Sequence, residues 1–174
     1  GGSGQLWEIP SGFSADFYYR GTDRVPIDRD RDGFSDIGKR RLESGGFGLF
    51  RRFIDGQARL TITGMIADEF RRGGDQFDRP PHETWITEQI ASRRYGAAAG
   101  WNHTLSPRTF YNLRGSYAYY SRRTYYGSGM DPNAYGNTRN PFWVGDAQLA
   151  HQAGQHSILG GYQASWEHVE DNAP

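Results

Sequence analysis

The stretch Ala58-Arg59-Leu60-Thr61-Ile62-Thr63-Gly64-Met65-Ile66-Ala67-Asp68-Glu69 alternates apolar and polar residues. Ala58, Leu60, Ile62, Gly64 and Ile66 fall on one face, and Arg59, Thr61, Thr63 and Glu69 on the other. A period of two is the mark of a β-strand whose faces meet unlike surroundings. Six further stretches read the same way. Phe13, Ala15, Phe17 and Tyr19 oppose Ser14, Asp16 and Arg20 in the strand expected over 13–20, and Phe47, Leu49 and Phe53 share a face in 40–53. The strand over 85–105 sets Tyr95, Ala97, Ala99, Trp101 and Leu105 against Gly96, Ala98, Gly100 and Asn102. That over 109–125 sets Tyr111, Leu113, Tyr117 and Tyr119 against Asn112, Arg114, Ser116 and Arg122. In 142–152, Trp143, Ala147 and Leu149 oppose Asp146 and Gln148. In 156–169, Ile158, Tyr162, Ala164 and Trp166 oppose Ser157, Gln163, Ser165 and Glu167.

The connections alternate between short and long. Ile54-Asp55-Gly56-Gln57, Ser106-Pro107-Arg108 and Gly154-Gln155 are tight turns, and Asp-Gly suits a hairpin because both positions tolerate positive φ. Long polar loops are expected near 21–38, 71–84 and 126–141. The strands run roughly 9 to 15 residues or more, longer than the ~5 to 6 of soluble sheets and suited to a tilted bilayer crossing. The pattern predicts an all-β fold: an antiparallel up-and-down transmembrane β-barrel segment, about seven to eight strands of a larger barrel. Residues 1–12 are expected to form a linker or strand stub and a turn at Pro10-Ser11-Gly12, and 13–174 the barrel segment. Trp101, Phe110 and Tyr111 at the short-turn end, and Tyr19, Tyr119, Tyr125 and Trp166 at the other, are placed as interfacial aromatic belts. The competing architecture is a soluble sandwich whose apolar faces pack together.

Composition sets the bounds. The 174 residues suffice for one domain, and 20 basic residues balance 20 acidic ones, so bulk charge gives no argument for nucleic acid. No stretch approaches the ~20 apolar residues of a transmembrane helix, which leaves barrels open because half of every barrel strand is polar. Aromatic residues reach 15% and glycines number 24, a balance that favours strands and turns over packed helices. Cysteine is absent, which excludes a disulfide framework and a thiolate metal site. No signal peptide is read, so a mature chain, a fragment or a cytosolic protein is expected, and Gly1-Gly2-Ser3-Gly4 reads as natural loop or appended linker.

The loops carry the chemistry. Asp28, Asp30, Asp32 and Asp36 stand at positions 1, 3, 5 and 9 around Gly33, the spacing with which a calcium loop presents oxygens. Lys39 stands where an EF-hand needs its bidentate Glu, so the loop 21–38 is read as a calcium-stapled loop or as a charge cluster neutralised by its own arginines. The paired Arg71 and Arg72 offer contacts to an anionic ligand or lipopolysaccharide phosphate, and Asp75 beside them is a further ligand-binding candidate; the alternative is loop-internal ion pairing. Tyr125, Tyr126 and Tyr135 offer a recognition surface, against loop packing. On the polar strand faces, Arg59, Thr61, Thr63, Asn112, Arg114, Asp146 and Gln148 are the lumen candidates. His151 and His156 lack a third ligand, Gly45-Gly46-Phe47-Gly48 opens no helix, and no catalytic set stands out; a non-enzymatic role is expected.

Asp28 to Gly38 (DRDRDGFSDIG), Glu69 to His82 (EFRRGGDQFDRPPH) and Tyr125 to Gly136 (YYGSGMDPNAYG) resemble the barrel of TonB-dependent outer-membrane receptors, in the colicin I-receptor-like and cobalamin-receptor-like branch. The resemblance implies a ~22-stranded barrel around an N-terminal plug. It also implies a Gram-negative outer membrane with its lipid and lipopolysaccharide, and energised import of a metal chelate or siderophore, haem or cobalamin through the TonB complex. By the same resemblance, Asp28, Asp30, Asp32 and Asp36 would hold calcium.

Two departures stand against it. The chain carries neither plug nor TonB-contacting segment, and seven strands leave two unpaired edges, which lipid does not tolerate. The chain is therefore read as a middle portion of such a barrel, a proteolytic or engineered piece of one, or a subunit completed by other strands. The rivals are a stand-alone small outer-membrane barrel acting as scaffold or passive pore, and a soluble calcium-binding β-domain.

Overall fold

A computed structural model describes residues 2–9 and 13–172. Its strands are β1 (Gly2–Ile9), β2 (Phe13–Arg24), β3 (Lys39–Phe53), β4 (Ala58–Gly74), β5 (Ile86–Ser106), β6 (Thr109–Ser128), β7 (Tyr135–Ala153), β8 (His156–Glu167) and β9 (Glu170–Asn172). A 3-10 turn, Pro81–Glu83, precedes β5. Every pairing is antiparallel, and β1 to β8 follow one another in chain order across one sheet. The fold is all-β and up-and-down, as the alternation predicts. The sheet is not closed: β1 and β8 are its edges. The linker or strand stub expected within 1–12 is a full strand over Gly2–Ile9, and the turn expected at Pro10-Ser11-Gly12 lies outside the described residues.

β9 continues β8 in the same register on β7, after a break at His168 and Val169. Pro141 of β7 faces that break; it has no N–H to donate, although its carbonyl accepts from His168 N at 3.1 Å. At the other end, the Asp55-Gly56 turn adopts the left-handed backbone expected of it, with φ of 49° and 88°.

The register joins all the apolar faces read from the sequence into one. Phe17, Phe47, Gly64, Ala97, Tyr117, Trp143 and Trp166 form a single cross-strand row. The rows through Ile62 and Leu60 repeat this with Leu49, Ala99, Leu113 and Tyr162. These side chains are open: Trp143 and Trp166 are each 54% exposed and Tyr162 75%. Among the described residues only Ala58, Tyr125 and Ala134 are buried apolar positions, so no layer packs on either face. A soluble sandwich buries one such face against another.

Strands outrun the alternation at the long-loop end. β4 reaches Gly74 rather than stopping near 70, β6 reaches Ser128, and β7 begins at Tyr135 rather than 142. Hydrogen-bonded pairing continues there through polar residues on both faces, which erases the period of two without ending the ladder. The connections shrink to 25–38, 75–85 and 129–134.

Candidate functional site

The three longer connections gather at one end of the sheet and are tied to one another. Ser35 N donates to Gly74 O at 3.0 Å, and Ser35 Oγ accepts from Gly74 N, which docks loop 25–38 on the end of β4. Tyr135 shares a 2.8 Å hydrogen bond with His82 Nδ1, and Gly129 N donates to Trp85 O at 2.7 Å, which joins loop 129–134 to loop 75–85.

Loop 25–38 brings Asp28, Asp30 and Asp36 together, with one carboxylate oxygen from each within 4.8 Å of the others. Left-handed Arg31 and Gly33 coil the chain between them. The Asp28 carboxylate accepts from Arg31 N and Gly33 N, and Asp36 accepts from Arg29 N at 2.7 Å. Asp32 stands apart from the trio and accepts from Phe34 N instead. Among the described residues no arginine forms an ion pair with any of the four. The Asp30 carboxyl is pushed above its ordinary value, chiefly by the charge of Asp32 and further by Asp36 and a hydrogen bond with Asp28. The donors suit a hard, oxygen-ligated cation, supplying three of the roughly six to eight oxygens calcium takes.

Of the proposed ligand contacts, half are committed to the loops themselves. Arg72 is buried and donates to the Gln76 and Arg79 carbonyls, with its guanidinium 5.7 Å from the Phe77 ring centre. Buried Asp75 accepts from Trp85 N and Ile86 N. Tyr125, 1% exposed, donates its hydroxyl to Asp131 O and packs 4.8 Å from the Tyr135 ring. Tyr126, Tyr135 and Arg71 remain exposed; Tyr126 accepts from Arg122 at 2.6 Å and Arg71 pairs with Glu69.

All seven lumen candidates share the face opposite the apolar one. Arg59, Asn112 and Gln148 lie in one row with Arg52 and Asn102; Thr61, Arg114 and Asp146 lie in the next; Thr63 lies in the one beyond. An open cleft of about 350 Å³ runs along Thr61, Thr63, Arg114 and Asp146. The Asn112 amide donates to Gln148 Oε1 at 3.4 Å, while Asp146 Oδ1 is buried without a partner.

The sequence reading did not single out Arg24 and Arg40 on this face. They lie directly opposite one another, and Arg40 lies opposite Arg71. Only the strand register reveals the row, since its members are far apart in sequence. No known protein family, curated protein or solved structure matches the chain.

Proposed function

We propose that the chain is wall and outer loops of a β-barrel in the outer membrane of a Gram-negative bacterium, part of a TonB-dependent receptor that imports a scarce nutrient such as a metal chelate, haem or cobalamin. The observation that carries the membrane part is the broad apolar face, interrupted near its short-turn end by Arg51 in the Leu60 row and His103 in the Ala58 row. Along β4 it spans Ala58 to Ile66, about 27 Å at ~3.4 Å per residue. A strand tilt of about 40° reduces this to roughly 20 Å, and boundary rings extend it toward the ~25 Å band of such barrels. Beyond it the same face turns charged, with Glu43, Asp68, Arg93 and Arg139 in one row. An apolar surface this wide and this sharply bounded needs lipid or a partner to cover it.

The receptor part rests on the loop motifs and their resemblance. In this reading the clustered loops capture ligand, and the polar face with Arg59, Thr61, Thr63, Asn112, Arg114, Asp146 and Gln148 lines its route. Other strands complete the wall, and a plug coupled to TonB gates it. No catalysis is assigned to the chain. Asp28, Asp30 and Asp36 would hold calcium, whose charge would offset their repulsion and stiffen loop 25–38; Asp32 falls outside that set.

One observation favours a second reading. The meander has eight strands, the number with which the smallest membrane barrels close. If β1 and β8 pair in a bilayer, the chain is a small scaffold or passive pore. Folding into vesicles, followed by cross-linking of cysteines placed on β1 and β8 and by sizing, separates the two. A β1–β8 cross-link in a 19.7 kDa particle supports the small barrel. Its absence, with larger assemblies only, supports the receptor wall. Failure to enter vesicles sinks both.

A further inference from the structure

The loop end of the polar face holds more positive charge than its own carboxylates neutralise. Arg24, Arg40 and Arg71 occupy one unbroken cross-strand row. Like charges placed directly opposite destabilise a sheet, so such a row calls for an anion. Glu69, one row below, is the anion the chain supplies. Arg40 and Arg71 both bind its Oε1, at 2.8 and 2.7 Å, so a single carboxylate oxygen serves two guanidinium groups. Arg24 donates to the Gly38 carbonyl instead. The two rows below add cations: Arg122 lies in the Glu69 row, which ends in Asp171, itself hydrogen-bonded by Thr138, and Arg94 lies in the next. Arg94 lies over the Tyr120 ring, and Arg122 donates to Tyr126 while its Nε is buried without an acceptor. Glu88 stands on the same face beyond Arg71, but no ion pair joins it to these arginines among the described residues. Arg40 and Arg71 keep 42% and 52% of their side-chain surface open, so guanidinium forks remain available above Glu69.

We propose that the row Arg24–Arg40–Arg71, with Arg94 and Arg122 beside it, binds a ligand bearing carboxylate or phosphate groups. The forks of several arginines match planar or tetrahedral oxyanions, and a polyanion engages more than one fork at once. The proposal deepens the function above, and rests on it only in calling this face a lumen. A purely structural network would alternate signs along the row, whereas here two of its three cations share one carboxylate and the third, Arg24, pairs with no carboxylate among the described residues.

The test uses the full chain folded in neutral-detergent micelles and titrated calorimetrically with citrate and with inorganic pyrophosphate. Arg40→Gln and Arg71→Gln each weaken binding about tenfold, the loss of a charge-assisted contact. Arg139→Gln, on the opposite face, leaves it unchanged. Glu69→Gln removes the internal competitor and strengthens binding about threefold or more. Circular dichroism and heat-modifiable migration confirm that each variant folds. Doping the micelles with an anionic phospholipid leaves the affinity unchanged if the site takes a soluble anion; competition from it would assign the row to a lipid headgroup and overturn the proposal. Absent binding, an equal loss in Arg139→Gln, or weaker binding in Glu69→Gln would also overturn it. Flotation of the same chain with vesicles reads the membrane proposal separately: a chain that binds citrate but does not float keeps the anion site and loses the lumen.

Discussion

β4 contains two regions that obey different rules. From Ala58 to Ile66 its side chains alternate, with Met65 the one apolar residue on the polar face, and from Ala67 to Gly74 they do not, yet both halves pair without a bulge to β3 and β5. The hydrogen-bond ladder is the same; only the surroundings of the two faces differ. Alternation is therefore a record of environment rather than of strand length. It persists where one face is apolar and lapses where both are polar.

The largest expected effect comes from placing charge in the alternating half. In a bilayer Ile62→Arg costs about 2 to 4 kcal/mol, while Thr63→Arg, one residue on and facing the other way, costs close to zero. Urea titration of vesicle-folded protein reads both, and equal costs would remove the asymmetry. In the non-alternating half the stability is local. Arg72→Ala leaves the Gln76 and Arg79 carbonyls without their donor and loosens loop 75–85 by about 1.5 to 3 kcal/mol. Amide exchange should accelerate in that loop and stay unchanged around Ile62. At the opposite end, Gly56→Ala forces a side chain into a positive φ of 88° and costs about 1 kcal/mol.

The smallest effect is pH-dependent. Asp30 titrates above its ordinary value, so its charged form is disfavoured in the folded loop. Stability is therefore lost as pH rises from the ordinary carboxylate range through the raised value. Above that range Asp30→Asn should slow proteolysis of loop 25–38 in chelator and abolish any protection by calcium. Calcium protection should fade on acidification sooner than ordinary carboxylates would allow. Identical cleavage rates with and without the ion would remove calcium from the account.

Much of the fold was legible because the faces of the strands differ. Ala97, Tyr117 and Trp143, one from each of three apolar sets, meet in one row, as the alternation requires. The upper parts of β6 and β7 were not legible. Asn137-Thr138-Arg139-Asn140-Pro141 carries no period and a proline, and reads as loop until its pairing partners are known. At the site, the calcium-like spacing located Asp28, Asp30 and Asp36, but Asp32 turns to cap Phe34 N, a choice made by backbone geometry. Arg72, Asp75 and Tyr125 looked like ligand contacts because exposed and buried polar side chains read alike in a loop. The row Arg24–Arg40–Arg71 needs a register that three distant segments reveal only when paired.

On the membrane proposal, the apolar face meets lipid and the polar face meets water. The chain has no cysteine, so single cysteines placed successively from Leu60 to Gly73 can each carry a spin label without background. In vesicles, collision with oxygen should dominate at Leu60, Ile62, Gly64 and Ile66, and collision with a water-soluble nickel chelate at Thr61, Thr63 and Met65. Beyond Glu69 the chelate should reach every position. Uniform access to the chelate along the whole strand, or alternation that continues undiminished to Gly73, would contradict the account.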